Sequence, residues 1–253
     1  MIINLRGGLG NQIIQLGFLL KQNSINKKAN INAINLRQQL GSVKDTRFIN
    51  SKFVNYLFGF IRKFISVLKN KPQDFACCGV CDGYFQFGDI TDLLESNFKR
   101  HLESQIYTDN CIKEEIDIVI HIRGGDYFTE SAEKVFEICD EIYYLNALEI
   151  AFNKINKAEC NIFIVTNDKI YSEGILAKIF DKDKYSVYSY SESEWKDFSL
   201  ISRARVAIIP NSTFSMMARM LLEEENKLTI TPIKWFTKES KLTPPYNKYF
   251  LYV

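Results

Sequence analysis

The chain has 253 residues, of which 46% are hydrophobic and 25% are charged. These values are typical of a globular protein with one large or two small domains, and they exclude an intrinsically disordered chain. No apolar run approaches the roughly 20 residues that cross a bilayer, and the N-terminal MIINLRGG lacks the features of a signal peptide, so we expect a cytoplasmic protein.

The net charge of +2 conceals an uneven distribution along the chain. Residues 1–73 contain twelve Lys or Arg residues and a single acid, Asp45, whereas the other 180 residues contain 20 basic and 29 acidic residues. A basic half is typical of proteins with an anionic partner, and the inner face of a membrane is one such partner. A solvated basic face is the alternative. No fold signature of nucleic-acid binding accompanies the charge, so we expect no nucleic-acid partner.

The six cysteines predict neither a disulfide framework nor a metal site. Cys77, Cys78 and Cys81 contain the C-x-x-C half of a zinc site, but no second pair and no nearby histidine completes it. We therefore expect reduced structural thiols, as is usual in the cytoplasm, and no bound metal.

In the N-terminal half, residues 1–5 predict a short strand, and the GGLG at 7–10 predicts a turn into a helix that extends to about Lys21. Residues 22–50 are polar and carry no clear pattern. Residues 53–68 predict an amphipathic helix with basic residues around its apolar face. Such a helix lies on a membrane or, more often, covers a sheet.

From residue 115 onward, short apolar segments alternate with helical patterns. We predict strands at 116–122, 161–166, 187–190, 206–209 and 228–231, and helices at 135–155, 171–180, 197–204 and 212–225. This alternation is typical of a parallel sheet covered on both faces. We expect an α/β protein with two Rossmann-like domains that face each other across a cleft, one at 1–108 and one at 109–253.

Three predicted strands end in polar residues suited to a phosphate group. Arg123 follows the first strand, Asp168 follows the second, and Ser212 stands at the start of the helix that follows the strand at 206–209. The carboxyl ends of parallel strands form one edge of the sheet, where ligands bind in open α/β folds. An arginine and a helix start at that edge suit a nucleotide diphosphate. Taken singly, Ser212 could be a helix cap, Asp168 a turn residue and Arg123 the partner of a structural acid.

Several segments in order along the chain resemble those of the bacterial α-1,2-fucosyltransferases (glycosyltransferase family 11), within the wider group of α-1,2-, α-1,6- and protein O-fucosyltransferases. The segments are GGLGNQ at 7–12, DGYFQ at 82–86, HIRGGDY at 121–127, residues 197–218 with NSTFS at 211–215, and TPIKWF at 231–236. The resemblance implies a GT-B-like fold with an acceptor-side domain at 1–108 and a nucleotide-sugar-binding domain at 109–253. It also implies an inverting, metal-independent transfer of L-fucose from GDP-fucose to a hydroxyl of a surface glycan such as an O-antigen, with galactose O2 as the expected position.

The resemblance also assigns roles to individual residues. Arg123 would bind the β-phosphate and stabilise the departing GDP. The other donor-binding residues would be Gly10 and Asn11 toward the diphosphate, His121 and Asp168 toward the guanosine, and Ser212, Thr213 and Phe214 toward phosphate and base. Asp126 would support the site.

The general base that activates the acceptor is a separate assignment. Asp82 stands where the family has an acid, and Asp126 and Glu130 are rival candidates. No cofactor is implied beyond the donor substrate. The partners would be a nucleotide sugar and a glycan acceptor, with a lipid-linked glycan as one form of the acceptor.

The chain departs from the family pattern at three places. Gly124 stands where a second arginine is usual, Met216 to Ala218 replace Trp-Trp-Gly, and Thr166 to Asp168 only loosely match Ser-Asp-Asp. Three other interpretations therefore stay open. They are a transferase for another activated sugar, a non-catalytic nucleotide- or glycan-binding protein, and an NAD(P) oxidoreductase, although the acid that such enzymes carry after the glycine loop is missing.

Overall fold

The computed structural model describes residues 2–5, 7–26, 31–34, 46–48, 75–77, 80–82, 84, 88–94, 96–108, 115–155, 160–180, 187–190, 193–221, 226–240 and 242–253. The chain divides into two units, Met1–Gln86 with Asp92–Leu102, and Phe87–Thr91 with Glu103–Val253. The change of unit at Leu102 lies six residues before the predicted division at 108, and a short segment around residue 89 joins the second unit. The predicted helix at 53–68 and Cys78 lie outside the described residues.

The first unit contains a five-stranded sheet in the order β3-β2-β1-β5-β4. Its strands are β1 (Ile2–Asn4), β2 (Ile31–Ile34), β3 (Thr46–Phe48), β4 (Phe75–Cys77) and β5 (Val80–Asp82). All neighbours are parallel except β4, which pairs antiparallel with β5 at one edge. Helix α1 (Leu9–Asn26) and the first part of α2 (Ser96–Thr108), as far as Leu102, complete the described elements of this unit.

Helix α1 begins immediately after the glycine turn that the sequence predicts. Gly7 has a φ of 74°, a left-handed conformation that favours glycine, and the helix starts two residues later at Leu9. Leu9, Ile13, Leu16 and Leu20 lie on one face and are buried, so this face joins the core of the first unit. Among the described helices, none is both long and apolar enough to cross a membrane.

The second unit contains a six-stranded, wholly parallel sheet in the order β13-β11-β10-β7-β8-β9. Its strands are β7 (Ile118–Ile122), β8 (Ile162–Thr166), β9 (Val187–Tyr190), β10 (Val206–Ile208), β11 (Leu228–Thr231) and β13 (Leu251–Tyr252). Taken in chain order, the strands have the 3-2-1-4-5-6 arrangement of the Rossmann fold. A separate parallel pair joins β6 (Gly88–Asp89) to β12 (Pro245–Tyr246).

Helices cover this sheet, and their packing explains why its central strands consist mostly of apolar residues. The helices are α3 (Glu130–Glu133), α4 (Glu141–Lys154), α5 (Lys169–Ile179), α6 (Glu194–Arg203) and α7 (Thr213–Leu221), with a 3₁₀ helix at Gly125–Phe128. Every residue of β7, β8 and β10 is buried. A strand buried on both faces is apolar along nearly its whole length, and in these strands only His121 and Thr166 are polar. The predicted α/β class is confirmed.

The predicted helix at 135–155 is wrong in its first six residues. Helix α4 begins only at Glu141, where the Asp140 side chain accepts a hydrogen bond from the Tyr143 N–H and caps the helix. Phe136 instead forms an isolated antiparallel bridge with Phe236. The helical spacing of apolar residues extends through the loop at 135–140, but the Asp140 cap sets the start of helix α4.

Candidate active site

The strand order places a ligand-binding edge between β7 and β10. The chain runs from β7 outward through β8 to β9, then returns to the other side of β7 as β10. In open parallel sheets, ligands bind beyond the carboxyl ends of the strands at such a reversal. Arg123 follows β7, and Asn211 and Ser212 lie in the segment between β10 and helix α7. Two of the three predicted strand ends therefore lie at the reversal, and Asp168 follows β8 on the other side of β7.

Arg123 presents a partly exposed guanidinium at this edge. Its Nη2 donates to Asp126 Oδ2 at 2.7 Å, and 27% of its side chain is exposed. The guanidinium carbon lies 5.4 Å from the centre of the Tyr127 ring, a cation–π contact that holds the side chain over the ring. The buried Nε has no hydrogen-bond partner among the residues that the structure describes. Arg123 is thus held by Asp126, while its side chain stays partly exposed at the sheet edge.

The turn after Arg123 is fixed by two side chains from the end of β8. Asn167 Oδ1 accepts from the Gly124 N–H at 2.9 Å, and Asn167 Nδ2 donates to the Gly124 carbonyl at 3.2 Å. Asp168 Oδ2 accepts from the Gly125 N–H at 2.9 Å, while its Oδ1 caps helix α5 by accepting from the Tyr171 N–H at 3.1 Å. Both carboxylate oxygens of Asp168 therefore accept hydrogen bonds from backbone N–H groups. Its predicted contact with guanosine stays a prediction.

The packing around Gly124 leaves little space for a side chain. A Cβ on Gly124 would lie 2.8 Å from Asp168 Cβ, 2.9 Å from Asp168 Oδ2 and 3.0 Å from a ring carbon of Tyr171. Real Cβ atoms do not approach other atoms this closely unless the neighbours move. Asp168 and Tyr171 thus occupy the space into which a side chain at position 124 would begin.

Tyr127 joins the loop after β7 to the loop after β10. Its hydroxyl donates to the Asn211 carbonyl at 2.8 Å, and its ring stacks on Phe136 at 4.8 Å. Burial raises the pKa of Tyr127 well above its usual value, so the hydroxyl keeps its proton and acts as a donor. Asn211 is itself buried, and its Nδ2 donates to the Trp235 carbonyl at 2.7 Å. These contacts fix the two loops relative to each other.

His121 lies beneath this edge as a buried, uncharged side chain. Burial, together with the charge of Arg123, lowers the pKa of His121 to about 3. Its ring meets Phe214 edge to face at 5.9 Å, and Phe214 meets Phe198 at 5.3 Å. The Nδ1 atom is buried and has no hydrogen-bond partner in the described part of the chain. A neutral imidazole beside an aromatic ring offers polar and stacking contacts without added charge.

Helix α7 begins at the same edge. The Ser212 carbonyl accepts from the Met216 N–H at 3.0 Å, so Ser212 is the residue that directly precedes the helix and accepts its first backbone hydrogen bond. Ser212 is buried, whereas Thr213 and Phe214 are half-buried. Helix starts present backbone N–H groups and a partial positive charge to anions.

The structure brings together the predicted site residues of the second unit at one sheet edge: His121, Arg123, Asp126, Asp168, Ser212, Thr213 and Phe214. In the first unit, Gly10 and Asn11 lie in the first turn of α1, which follows β1, and Asp82 is the last residue of the adjacent strand β5. These three also share the carboxyl edge of their own sheet. Glu130 begins α3 and forms an exposed ion pair with Lys134 at 2.9 Å.

Two residues of the site were not predicted from the sequence, Asn167 and Tyr127. The pairing of Ile122 with Thr166 places the residue after β8 beside the residue after β7, so the sheet order would have indicated Asn167. Within the residues covered, no group of three or more His, Cys, Asp or Glu side chains is arranged to hold a metal ion. The described free cysteines Cys139 and Cys160 are both buried.

Comparison with known proteins gives the family. Residues 79–248 match the model of glycosyl transferase family 11. Two curated proteins of Escherichia coli are similar: an alpha-1,2-colitosyltransferase, 29% identical over 48% of this chain and 42% of its own length, and the O-antigen biosynthesis glycosyltransferase WbnK, 33% identical over 49% and 41%. The alignments thus span less than half the length of these curated relatives.

The fold is shared with solved glycosyltransferases of low sequence identity. The E. coli heptosyltransferase WaaC with ADP has a TM-score of 0.53 at 10% identity, covering 99% of this chain and 92% of its own. POFUT1 in complex with GDP-fucose has a TM-score of 0.50 at 10% identity, covering 91% and 96%. These likenesses confirm the GT-B-like fold predicted from the sequence. The family match over residues 79–248, which is more than half of the chain, shows that the chain belongs to glycosyl transferase family 11.

Proposed function

We propose that the chain is an inverting, metal-independent glycosyltransferase that moves L-fucose from GDP-fucose to a hydroxyl of a bacterial surface glycan, with galactose O2 as the acceptor position. The observation that carries the proposal is Arg123, which presents a guanidinium at the reversal point of a Rossmann sheet beside the start of helix α7. Family membership supports glycosyl transfer as the reaction class. The α-1,2 linkage in the name of the colitosyltransferase supports O2 as the acceptor position.

The chemistry assigned to Arg123 is stabilisation of the leaving group. The acceptor oxygen attacks the anomeric carbon as the bond from that carbon to the β-phosphate oxygen breaks, and the electron pair of the broken bond stays on GDP. A fixed guanidinium beside that oxygen offsets the developing negative charge, which is the task that a metal ion performs in other transferases. The Asp126 contact at 2.7 Å holds the guanidinium in one orientation before the substrate arrives.

The proton of the acceptor hydroxyl requires a general base. Asp126 is engaged by Arg123 and by Asn167, so its carboxylate is better suited to holding the site than to accepting this proton. We assign the base to Asp82, which stands at the carboxyl end of β5 in the first unit, where the resemblance to the family implies an acid. Substitution of Asp82 by Asn should lower turnover while leaving donor binding intact.

Colitose is the second candidate for the transferred sugar. The similarity to the alpha-1,2-colitosyltransferase favours it, since that relative is named for colitose rather than fucose. The O-antigen assignment of WbnK supports a surface glycan as the acceptor in either case. Either sugar would be bound as its nucleoside-diphosphate derivative, at the same sheet edge of the second unit.

A thermal-shift panel of nucleotides and nucleotide sugars tests the donor class. We expect GDP, GDP-fucose and the guanosine-diphosphate form of colitose to raise the melting temperature, and UDP- and CMP-sugars to leave it unchanged. Transfer to galactosides in the presence of EDTA, with the anomeric configuration assigned by NMR, then tests metal independence and inversion. Stabilisation by UDP-sugars alone would overturn the donor assignment.

Arg123→Ala should lower turnover at saturating donor by on the order of 100-fold or more, because the charge on the leaving diphosphate loses its fixed cation. Arg205→Ala is the matched control. Arg205 also forms an ion pair, with Asp117 at 2.9 Å, but both residues lie at the amino end of the sheet. Near-normal turnover of the Arg123 variant would contradict the role proposed for this residue.

A further inference from the structure

Asn167 forms hydrogen bonds with three groups around Arg123, and its described hydrogen bonds do not include Arg123 itself. Its Oδ1 accepts from the Gly124 N–H at 2.9 Å, and its Nδ2 donates to the Gly124 carbonyl at 3.2 Å. The same Nδ2 donates to Asp126 Oδ1 at 3.2 Å. One amide thus holds both polar groups of residue 124 and one oxygen of the carboxylate that binds Arg123.

These contacts constrain Arg123 from both ends. The Gly124 groups fix the backbone that directly follows Arg123, where two glycines would otherwise leave the chain free to rotate. Because Asp126 Oδ1 is held by Asn167, the other oxygen, Oδ2, points toward Arg123 Nη2 at 2.7 Å. The Asp126 side chain is 59% exposed, so packing alone does not orient it.

We propose that Asn167 is a positioning residue for Arg123, which it orients for the donor diphosphate through Asp126 and Gly124. The inference rests on the proposed function, since it assigns Asn167 to the same diphosphate site. A displaced guanidinium still carries its charge, but it no longer meets the phosphate oxygens at hydrogen-bond distance. Both donor affinity and turnover should therefore depend on an amide that does not touch the donor.

A purely structural role predicts a different result. Asn167 follows β8 and holds a turn, so its loss could weaken the fold without any specific effect on the donor. Such an effect would persist whether or not Arg123 is present. An effect that acts through Arg123 disappears once the guanidinium has been removed.

The test is a double-mutant cycle in the full chain, with GDP as the probe for titration calorimetry and GDP-fucose for kinetics. We expect Asn167→Ala to weaken GDP binding. The same variant should lower turnover by about 10- to 100-fold, as misplacement of a catalytic group commonly does. Adding Asn167→Ala to Arg123→Ala should change GDP affinity by less than about twofold. Asp140→Ala is the matched control, because it removes another side-chain contact to backbone, that with the Tyr143 N–H at the cap of helix α4, and none with Gly124 or Asp126.

Asn167→Asp keeps the test decisive if the alanine variant does not fold. Its carboxylate can still accept from the Gly124 N–H, but it places a second negative charge beside Asp126 instead of a donor. We expect a melting temperature close to that of the wild type together with weakened GDP binding.

The outcomes separate the two proposals. Equal losses of GDP affinity in the presence and absence of Arg123, or unchanged affinity in both Asn167 variants, would overturn the positioning role alone. If the wild-type chain bound none of the nucleotides in the panel, the proposed function would fall and the inference with it.

Discussion

Gly124 stands where the resemblance to the fucosyltransferases predicts a second arginine, and the surrounding packing predicts that an arginine is not easily accommodated there. A Cβ at this residue would lie within 3.0 Å of Asp168 and Tyr171 atoms. We expect Gly124→Ala to destabilise the chain by about 1–3 kcal/mol, which is typical of overpacking, and Gly124→Arg to destabilise it further and to lower activity. Denaturant unfolding and steady-state kinetics measure the two effects.

Gly174 provides the matched control for that substitution. It lies in the interior of helix α5, and a Cβ there would meet nothing within 4 Å. Gly174→Ala should therefore stabilise the chain by about 0.5–1 kcal/mol through helix propensity and a smaller loss of chain entropy. A Gly124→Arg variant that is as stable as the wild type and more active would show that the Asp168 and Tyr171 side chains move aside to accommodate the arginine.

His121 should make stability depend on pH. Its folded pKa of about 3 lies below the ordinary value of 6.5, because burial and then the Arg123 charge oppose protonation. Between these values the unfolded chain binds a proton that the folded chain does not, so stability falls as the pH drops below 6.5. The His121 contribution to the free energy of unfolding should decrease by about 2 kcal/mol from pH 7 to pH 5.

Comparison with His121→Gln isolates this contribution from other titrating groups. Glutamine stays neutral across the range, so the variant should lack the part of the pH dependence that His121 causes. Urea unfolding of both proteins at pH 7, 6 and 5 gives the difference directly. Parallel pH profiles for the two chains would show that His121 is protonated equally in the folded and unfolded states.

At the scale of secondary-structure elements, a buried arginine joins helices α6 and α7 to strand β11. Arg219 is 3% exposed, and its Nη1 donates to the carbonyls of Ile201 at 2.9 Å and Ala204 at 2.7 Å at the end of α6. Its Nε donates to Thr229 Oγ1 at 2.8 Å. A positive charge at this place also complements the negative end of the α6 dipole.

Arg219→Met should cost at least about 3 kcal/mol in the free energy of unfolding, because several buried acceptors lose their donor and each costs about 1–3 kcal/mol. Guanidinium chloride unfolding measures the loss. Lys178→Ala is the control, since Lys178 and Glu141 form an exposed ion pair of the kind that contributes less than about 1 kcal/mol. A loss no larger than that of the control would mean that water replaces the arginine as a donor.

The sequence predicted the elements of the second unit where burial is complete. β7, β8 and β10 are largely apolar, as strands buried on both faces of a parallel sheet are, and all three were found. β13 and the β6–β12 pair were not predicted, because strands of two residues carry no periodicity. The start of α4 was misplaced because one capping side chain, that of Asp140, decides it.

The candidate site was predictable to the level of the sheet edge. Arg123, Asp168 and Ser212 each follow a strand, and the carboxyl ends of parallel strands meet at one edge by geometry. What each side chain holds was not predictable, because it depends on contacts between strands that are distant in sequence. Asp168 holds the Gly125 N–H across 43 residues, and only the pairing of β7 with β8 brings them together.

At the scale of the whole molecule, the proposed donor chemistry does not account for the uneven charge distribution along the chain. Residues 1–73 carry twelve basic residues against one acid, whereas the remainder is acidic. A lipid-linked acceptor would place the enzyme at an anionic membrane surface, where each nearby Lys or Arg contributes about 1 kcal/mol. The basic half would then bring the acceptor-side unit to its substrate.

We expect the chain to float with vesicles of an anionic phospholipid at about 0.1 M salt, and to be released at about 0.5 M salt as the charges are screened. Replacing Arg62, Lys63 and Lys69 with Gln should weaken vesicle binding by on the order of 100-fold, since three basic contacts are lost. Replacing Lys154, Lys169 and Lys178, exposed lysines of the acidic remainder, controls for net charge. Equal losses in the two triple variants would show that total charge, not the basic half, governs binding, and no flotation at low salt would overturn the membrane proposal.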